Sequence, residues 1–101
     1  MKQLPTDPLI LELLPEFVDT WIADINEQFT PLCEAKDKDN FYRLAHTLKG
    51  SGFQFGIDEV GNMGLEMMRL TKEEKWEEIP KFKELLLKEF EETKELLNNS
   101  N

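Results

Sequence analysis

The chain has 101 residues, 12 Lys+Arg against 21 Asp+Glu for a net charge of −9, 40% hydrophobic residues, five Gly, five Pro, one Cys and one His. That length holds one domain with a modest core; the apolar content is too high, and the Pro and Gly content too low, for a disordered chain of this charge. A single Cys33 excludes an internal disulfide and a single His46 excludes the usual Cys/His zinc cluster, while the acidic balance disfavours nucleic acid, whose phosphates require a Lys/Arg surface.

Met1, Lys2 and Gln3, and the residues to Asp7, lack the apolar stretch and cleavage site of a secretory signal. The longest aliphatic runs, at Leu9 to Leu11 and Leu85 to Leu87, fall far short of a membrane span. The expectation is a monomeric, cytoplasmic single domain over residues 1–101, in a reducing compartment. Charge is uneven: −5 over residues 1–33, +1 over 34–49, −2 over 50–71 and −3 over 72–101, so the one stretch that is not acidic surrounds His46.

Strand-type alternation is absent and helical periodicity recurs, which predicts an all-α chain. Asp7 then Pro8 reads as an N-cap with proline in the first helical position, opening a short apolar helix through Leu9, Ile10, Leu13 and Leu14. Pro15 restarts or continues it, and from there Val18, Trp21, Ile22, Ile25, Phe29 and Leu32 give one face of a long helix that Pro31 should kink or end. Residues 34–40 read as a turn, with Asp39 capping the next helix. Its buried stripe is Phe41, Leu44, Ala45, Leu48, Gly52 and Phe55, and Gly56 is its stop.

A further helix spans about Asp58 to Leu70, with Val60, Met63, Gly64, Met67 and Leu70 inward and Gly61 and Gly64 admitting a close neighbour. Thr71 and Glu74 are spaced as a capping box before a short turn with Trp76. The last helix, about Pro80 to Leu97, buries Phe82, Leu86, Phe90, Thr93 and Leu97 behind Ile79, and residues 98–101 form a frayed tail. Connections this short imply antiparallel neighbours and so an up-down antiparallel four-helix bundle with a short N-terminal helix as a lid.

One segment breaks the local rules: Leu44-Ala45-His46-Thr47-Leu48-Lys49-Gly50-Ser51-Gly52-Phe53-Gln54-Phe55-Gly56. Glycine inside a helix costs roughly 1 kcal/mol relative to alanine, so something other than propensity placed two of them there. At about 100° per residue, His46 falls about 140° from Phe41 and points away from the core. It lies on a second stripe with Tyr42, Lys49, Gly50 and Phe53, at spacings that set side chains side by side. An exposed imidazole is largely neutral at cellular pH and is a competent nucleophile toward a phosphoryl group. Lys49 can offset the charge that arrives, Gly50 leaves clearance for a second protein, and Tyr42 and Phe53 supply an apolar rim. No glycine-rich nucleotide site is present.

Ala45-His46-Thr47-Leu48-Lys49-Gly50-Ser51-Gly52, followed by Phe55-Gly56 and an amphipathic helix, resembles the signature of histidine-containing phosphotransfer (HPt) domains of multistep phosphorelays. The similarity covers, as a pattern, most of the chain from the helix of Trp21 to that of Phe90. It implies a four-helix bundle in which His46 is the phosphoacceptor, taking a phosphoryl group from the aspartate of one receiver domain of two-component signal transduction and passing it to another. By the resemblance Lys49 stabilises the phosphoryl group and Gly50 gives clearance; the Mg2+ and the remaining catalytic groups belong to the receiver, so this chain needs no cofactor and is a carrier rather than an enzyme. Two positions depart from the pattern: Gly52, where members often have Ser or Ala, and Met68, about 22 residues past the histidine, where many place a Glu or Gln that orients the imidazole.

The expected partners are response-regulator receiver domains, and a hybrid histidine kinase, docking on Tyr42, Phe53 and Leu65. Two rival readings stand beside this one. The first is a helical adaptor that binds a receiver or kinase without being phosphorylated. The second is an acceptor labelled directly by a separate histidine kinase core.

Overall fold

The computed structural model describes residues 4–99, and every regular element among them is helical. The readings of Met1–Gln3 and of Ser100 and Asn101 concern residues outside that range. Helix α1 (Pro8–Asp24) starts as the cap pattern requires: the Asp7 carboxylate accepts from the Leu9 N–H at 2.9 Å. It runs through Pro15 without a break, so no separate short N-terminal helix exists among the described residues, and α1 leads directly into a π turn (Ile25–Phe29) and α2 (Thr30–Glu34). Pro31 has no N–H for the carbonyl of Glu27 and its ring crowds that carbonyl. The helix absorbs this in the wider turn just before the proline rather than by ending there.

Helix α3 (Lys38–Gln54) begins two residues earlier than expected. Asp37, not Asp39, is the N-cap: its carboxylate accepts from the Asn40 N–H at 3.2 Å and from the Asn40 side-chain amide at 2.8 Å, which leaves Asp39 in the first turn. Helix α4 (Asp58–Lys72) and helix α5 (Lys81–Asn99) follow, joined by a 3-10 turn (Trp76–Glu78) around buried Trp76. The proposed capping box is absent. Thr71 is inside α4, fully buried, with its hydroxyl donating to the Met67 carbonyl at 2.6 Å. Asn98 and Asn99 belong to α5 and not to a frayed tail.

Three helix ends share one geometry. At the end of α3 the Ile57 N–H donates to the Gly52 carbonyl and the Gly56 N–H to the Phe53 carbonyl, with Gly56 at φ 76°. The same paired bonds close α2, with Lys36 at φ 52°, and α4, with Glu74 at φ 56°. Only the first of these has the glycine that this left-handed position favours.

The buried side chains form one cluster, and they are largely the predicted stripes: Val18, Trp21, Ile25 and Phe29 from the first helical run, Phe41, Leu44, Ala45 and Leu48 from α3, Val60, Met67 and Leu70 from α4, and Phe82, Leu86 and Phe90 from α5. Phe55 is only half-buried, stacked on Phe17 with ring centroids 3.9 Å apart. Leu9 and Leu13 stay outside the core, 64% and 50% exposed. Lys94 meets Asp19 at 3.0 Å and Lys83 meets Thr30 at 3.0 Å, so α5 runs antiparallel to the first helical run. No helix among the described residues is long and apolar enough to cross a membrane.

Candidate functional site

The geometry around His46 is set by how closely α3 and α4 approach. A Cβ on Gly52 would lie 2.4 Å from the Gly61 nitrogen, and a Cβ on Gly64 would lie 2.6 Å from the Lys49 nitrogen. Neither distance leaves room for a side chain, so the two helices cross backbone to backbone at these glycines. This pairs Gly52 with Gly61 and Lys49 with Gly64, an antiparallel register. Carried on, it sets Met67, with Met68 next to it, level with His46 one turn further along, and Thr71, with Lys72 next to it, level with Tyr42 a turn beyond that. Gly52 is thus explained by packing, as Gly61 and Gly64 are.

Gly50 is different. It is exposed, and a Cβ built there meets nothing within 4 Å. His46, one turn earlier, is exposed too, as the helical angle predicts. Open space therefore adjoins the imidazole where the sequence suggested clearance. Lys49 is half-buried, its backbone and Cβ held against Gly64, and its place on the next turn keeps its side chain on the same flank as His46. Met68 is half-buried against the core, and no described residue is hydrogen-bonded to the His46 ring.

Phe53 is 42% exposed, with its ring lying over Gly61, where a Cβ would come within 2.6 Å of it. Leu65, one turn along α4 from Gly61, is 46% exposed. These two face solvent on the α3–α4 side of the molecule. Tyr42 is half-buried and is separated from them by His46 and Gly50 along α3.

On the other side of His46 lies an open groove of about 660 Å³, lined by Lys38, Asp39, Tyr42, Arg43, His46 and Lys72. It joins the start of α3 to the end of α4. Lys38 and Arg43 belong to the non-acidic stretch that the charge pattern set around the histidine; Lys72 was not foreseen as its neighbour. Lys38, Tyr42 and His46 do step by four along one helix, a signal that was available; Lys72 is brought in only by the α3–α4 register. Lys38 approaches Glu74 at 3.9 Å, while Arg43 and Lys72 have no ion pair with a described residue.

Elsewhere, Cys33 is a half-buried free thiol that burial, and then the nearby Glu34 carboxylate, push above its ordinary range. Among the described residues no group of three or more His, Cys, Asp or Glu is placed to hold a metal ion. Comparisons with protein-family models, with curated proteins and with solved structures gave no match.

Proposed function

We propose that this protein is an HPt-like phosphoryl carrier of a phosphorelay, an up-down antiparallel four-helix bundle in which His46 is the acceptor. The observation that supports it most is the combination on α3 of an exposed imidazole, open space at Gly50 on the next turn, and Lys49 beside them. The antiparallel pairings of α3 with α4 and of α5 with the first helical run fit such a bundle.

In the forward step an imidazole nitrogen of His46 attacks the phosphorus of a receiver's aspartyl phosphate. The P–N bond forms as the P–O bond to the aspartate breaks, the carboxylate leaves with its electron pair, and the ring N–H proton goes to solvent. Lys49 offsets the charge delivered, and the absence of a side chain at Gly50 lets the receiver's active-site loops approach. The receiver brings its own Mg2+; this chain is a carrier without nucleotide chemistry, acting in the cytoplasm as a monomer. Phe53 and Leu65, with Tyr42, are its apolar docking contacts.

Incubation with a phosphorylated receiver should give an acid-labile, base-stable label that His46→Gln abolishes. Label that persists in the variant removes His46 from the mechanism. Met68 favours a second reading, a non-phosphorylated adaptor, because it stands where the resemblance implies a Glu or Gln and gives the ring no such hydrogen-bond partner. That reading predicts a receiver complex that survives His46→Ala and never carries label. Labelling from ATP by a kinase core with no receiver present would instead identify a direct kinase substrate.

A further inference from the structure

We infer that the groove beside His46 seats an acidic segment of the protein partner, carboxylates held by Lys38, Arg43 and Lys72. The inference rests on the proposed function for why a partner comes to His46, but not for the chemistry of the groove.

Three of the 12 cationic residues of a chain with net charge −9 line this one groove, against a single carboxylate, Asp39. Folding accounts for them only in part: Lys38 lies 3.9 Å from Glu74, and Arg43 stands one turn after Asp39 on α3. Lys38 occupies the first position of α3, at the positive end of the helix dipole, where a cation is unfavourable. Lys72 complements the end of α4, whereas Arg43, in the second turn of α3, has no ion pair with a described residue. Gathering the three costs mutual repulsion that an incoming anionic group relieves.

The groove is open and spans two helices, which suits a length of chain better than an enclosed small molecule. It ends at His46, so its occupant arrives together with whatever meets the imidazole. Charge complementarity also fixes orientation, because an acidic partner is repelled by the remainder of so acidic a surface and accepted here. Tyr42, half-buried within the groove, gives that segment an apolar floor.

The test uses the isotopically labelled chain titrated with a capped peptide of alternating Glu and Ser, and with its Gln and Ser counterpart, at about 20 mM and about 500 mM NaCl. The Glu peptide should shift the amide resonances of Lys38, Tyr42, Arg43, His46 and Lys72 at low salt. The Gln peptide should not, and high salt should erase the effect. The double variant K38E/K72E, both positions being exposed, should weaken the low-salt binding roughly tenfold or more, whereas K88E on α5 should leave it unchanged. Shifts centred outside the groove, equal binding of the Gln peptide, or indifference to K38E/K72E would each overturn the inference. None of these outcomes depends on phosphoryl transfer, so failure of His46 to take label would count against the proposed function alone.

Discussion

Gly50 and Gly52 lie two residues apart on one helix, and adding the same methyl group to each should have opposite effects. A Cβ at Gly52 would stand 2.4 Å from the Gly61 nitrogen, 2.9 Å from its Cα and 3.0 Å from the Val60 carbonyl carbon. All three are backbone atoms of α4, so no side chain can swing aside. Reaching an ordinary contact of 3.4 Å requires α3 and α4 to part by about 1 Å at their closest point, an overpacking strain of about 1–3 kcal/mol. Gly52→Ala recovers up to about 1 kcal/mol of helix propensity against that cost. Gly50→Ala recovers the same propensity and meets no atom within 4 Å. The difference between the two variants is therefore the overpacking strain itself. At roughly 4–8 °C per kcal/mol for a domain of about 100 residues, Gly52→Ala should melt at least about 4 °C below Gly50→Ala. Thermal and urea denaturation followed by circular dichroism measure this directly. Equal midpoints, or a more stable Gly52→Ala, would refute the backbone-to-backbone crossing on which the register of the site rests. On the proposed function, Gly50→Ala should also take label from a receiver more slowly while being more stable than the parent, a separation that a general loss of folding cannot produce.

The left-handed residue that closes α2 is a lysine, and Lys36→Gly should raise stability by about 0.5–1 kcal/mol in urea denaturation, since glycine removes the Cβ strain at φ 52°; a loss of stability would show that the Lys36 side chain contributes more than its backbone costs. Cys33 should react with iodoacetamide more slowly than a free thiol at pH 8, because burial and the Glu34 carboxylate both raise its pKa. A thiol whose folded pKa is raised contributes stability that is complete below the unfolded value and is lost as pH climbs through the folded one. The chain with Cys33→Ser should therefore lack that alkaline component in a series of denaturation midpoints against pH. On the proposed function, Met68→Gln should supply a hydrogen-bond partner near the level of His46 and speed transfer from a phosphorylated receiver, with the imidazole proton resonances reporting a single preferred tautomer; unchanged rate and spectrum would refute a role for residue 68 in orienting the ring.

The parts of the structure that were legible in the sequence are those whose cause is local. Asp7 with Pro8 states a helix start, and the stripes Phe41, Leu44, Ala45 and Leu48 or Phe82, Leu86 and Phe90 state which face is buried, because periodicity and burial are the same fact in an amphipathic helix. Gly56 announced a helix end for the same reason, whereas Lys36 and Glu74, which make the identical turn, carry no such mark and were missed. Pro31 reads as a kink or an end, and the structure answers with a wider helical turn, since that is as good a response to a missing N–H as a break, and only the surrounding packing chooses between them. The outward direction of His46 followed from its angle on α3. Of the cations of the groove, Lys38 and Arg43 lie on the same helix, in the stretch whose charge set it apart, but Lys72 was hidden, because it reaches the groove through the pairing of Gly52 with Gly61 and Gly64 with Lys49, a contact between helices that no single-helix pattern contains. The same close crossing brings the end of α4 to the start of α3, so the glycines, which look like defects in helix propensity, are what place a basic groove against the imidazole.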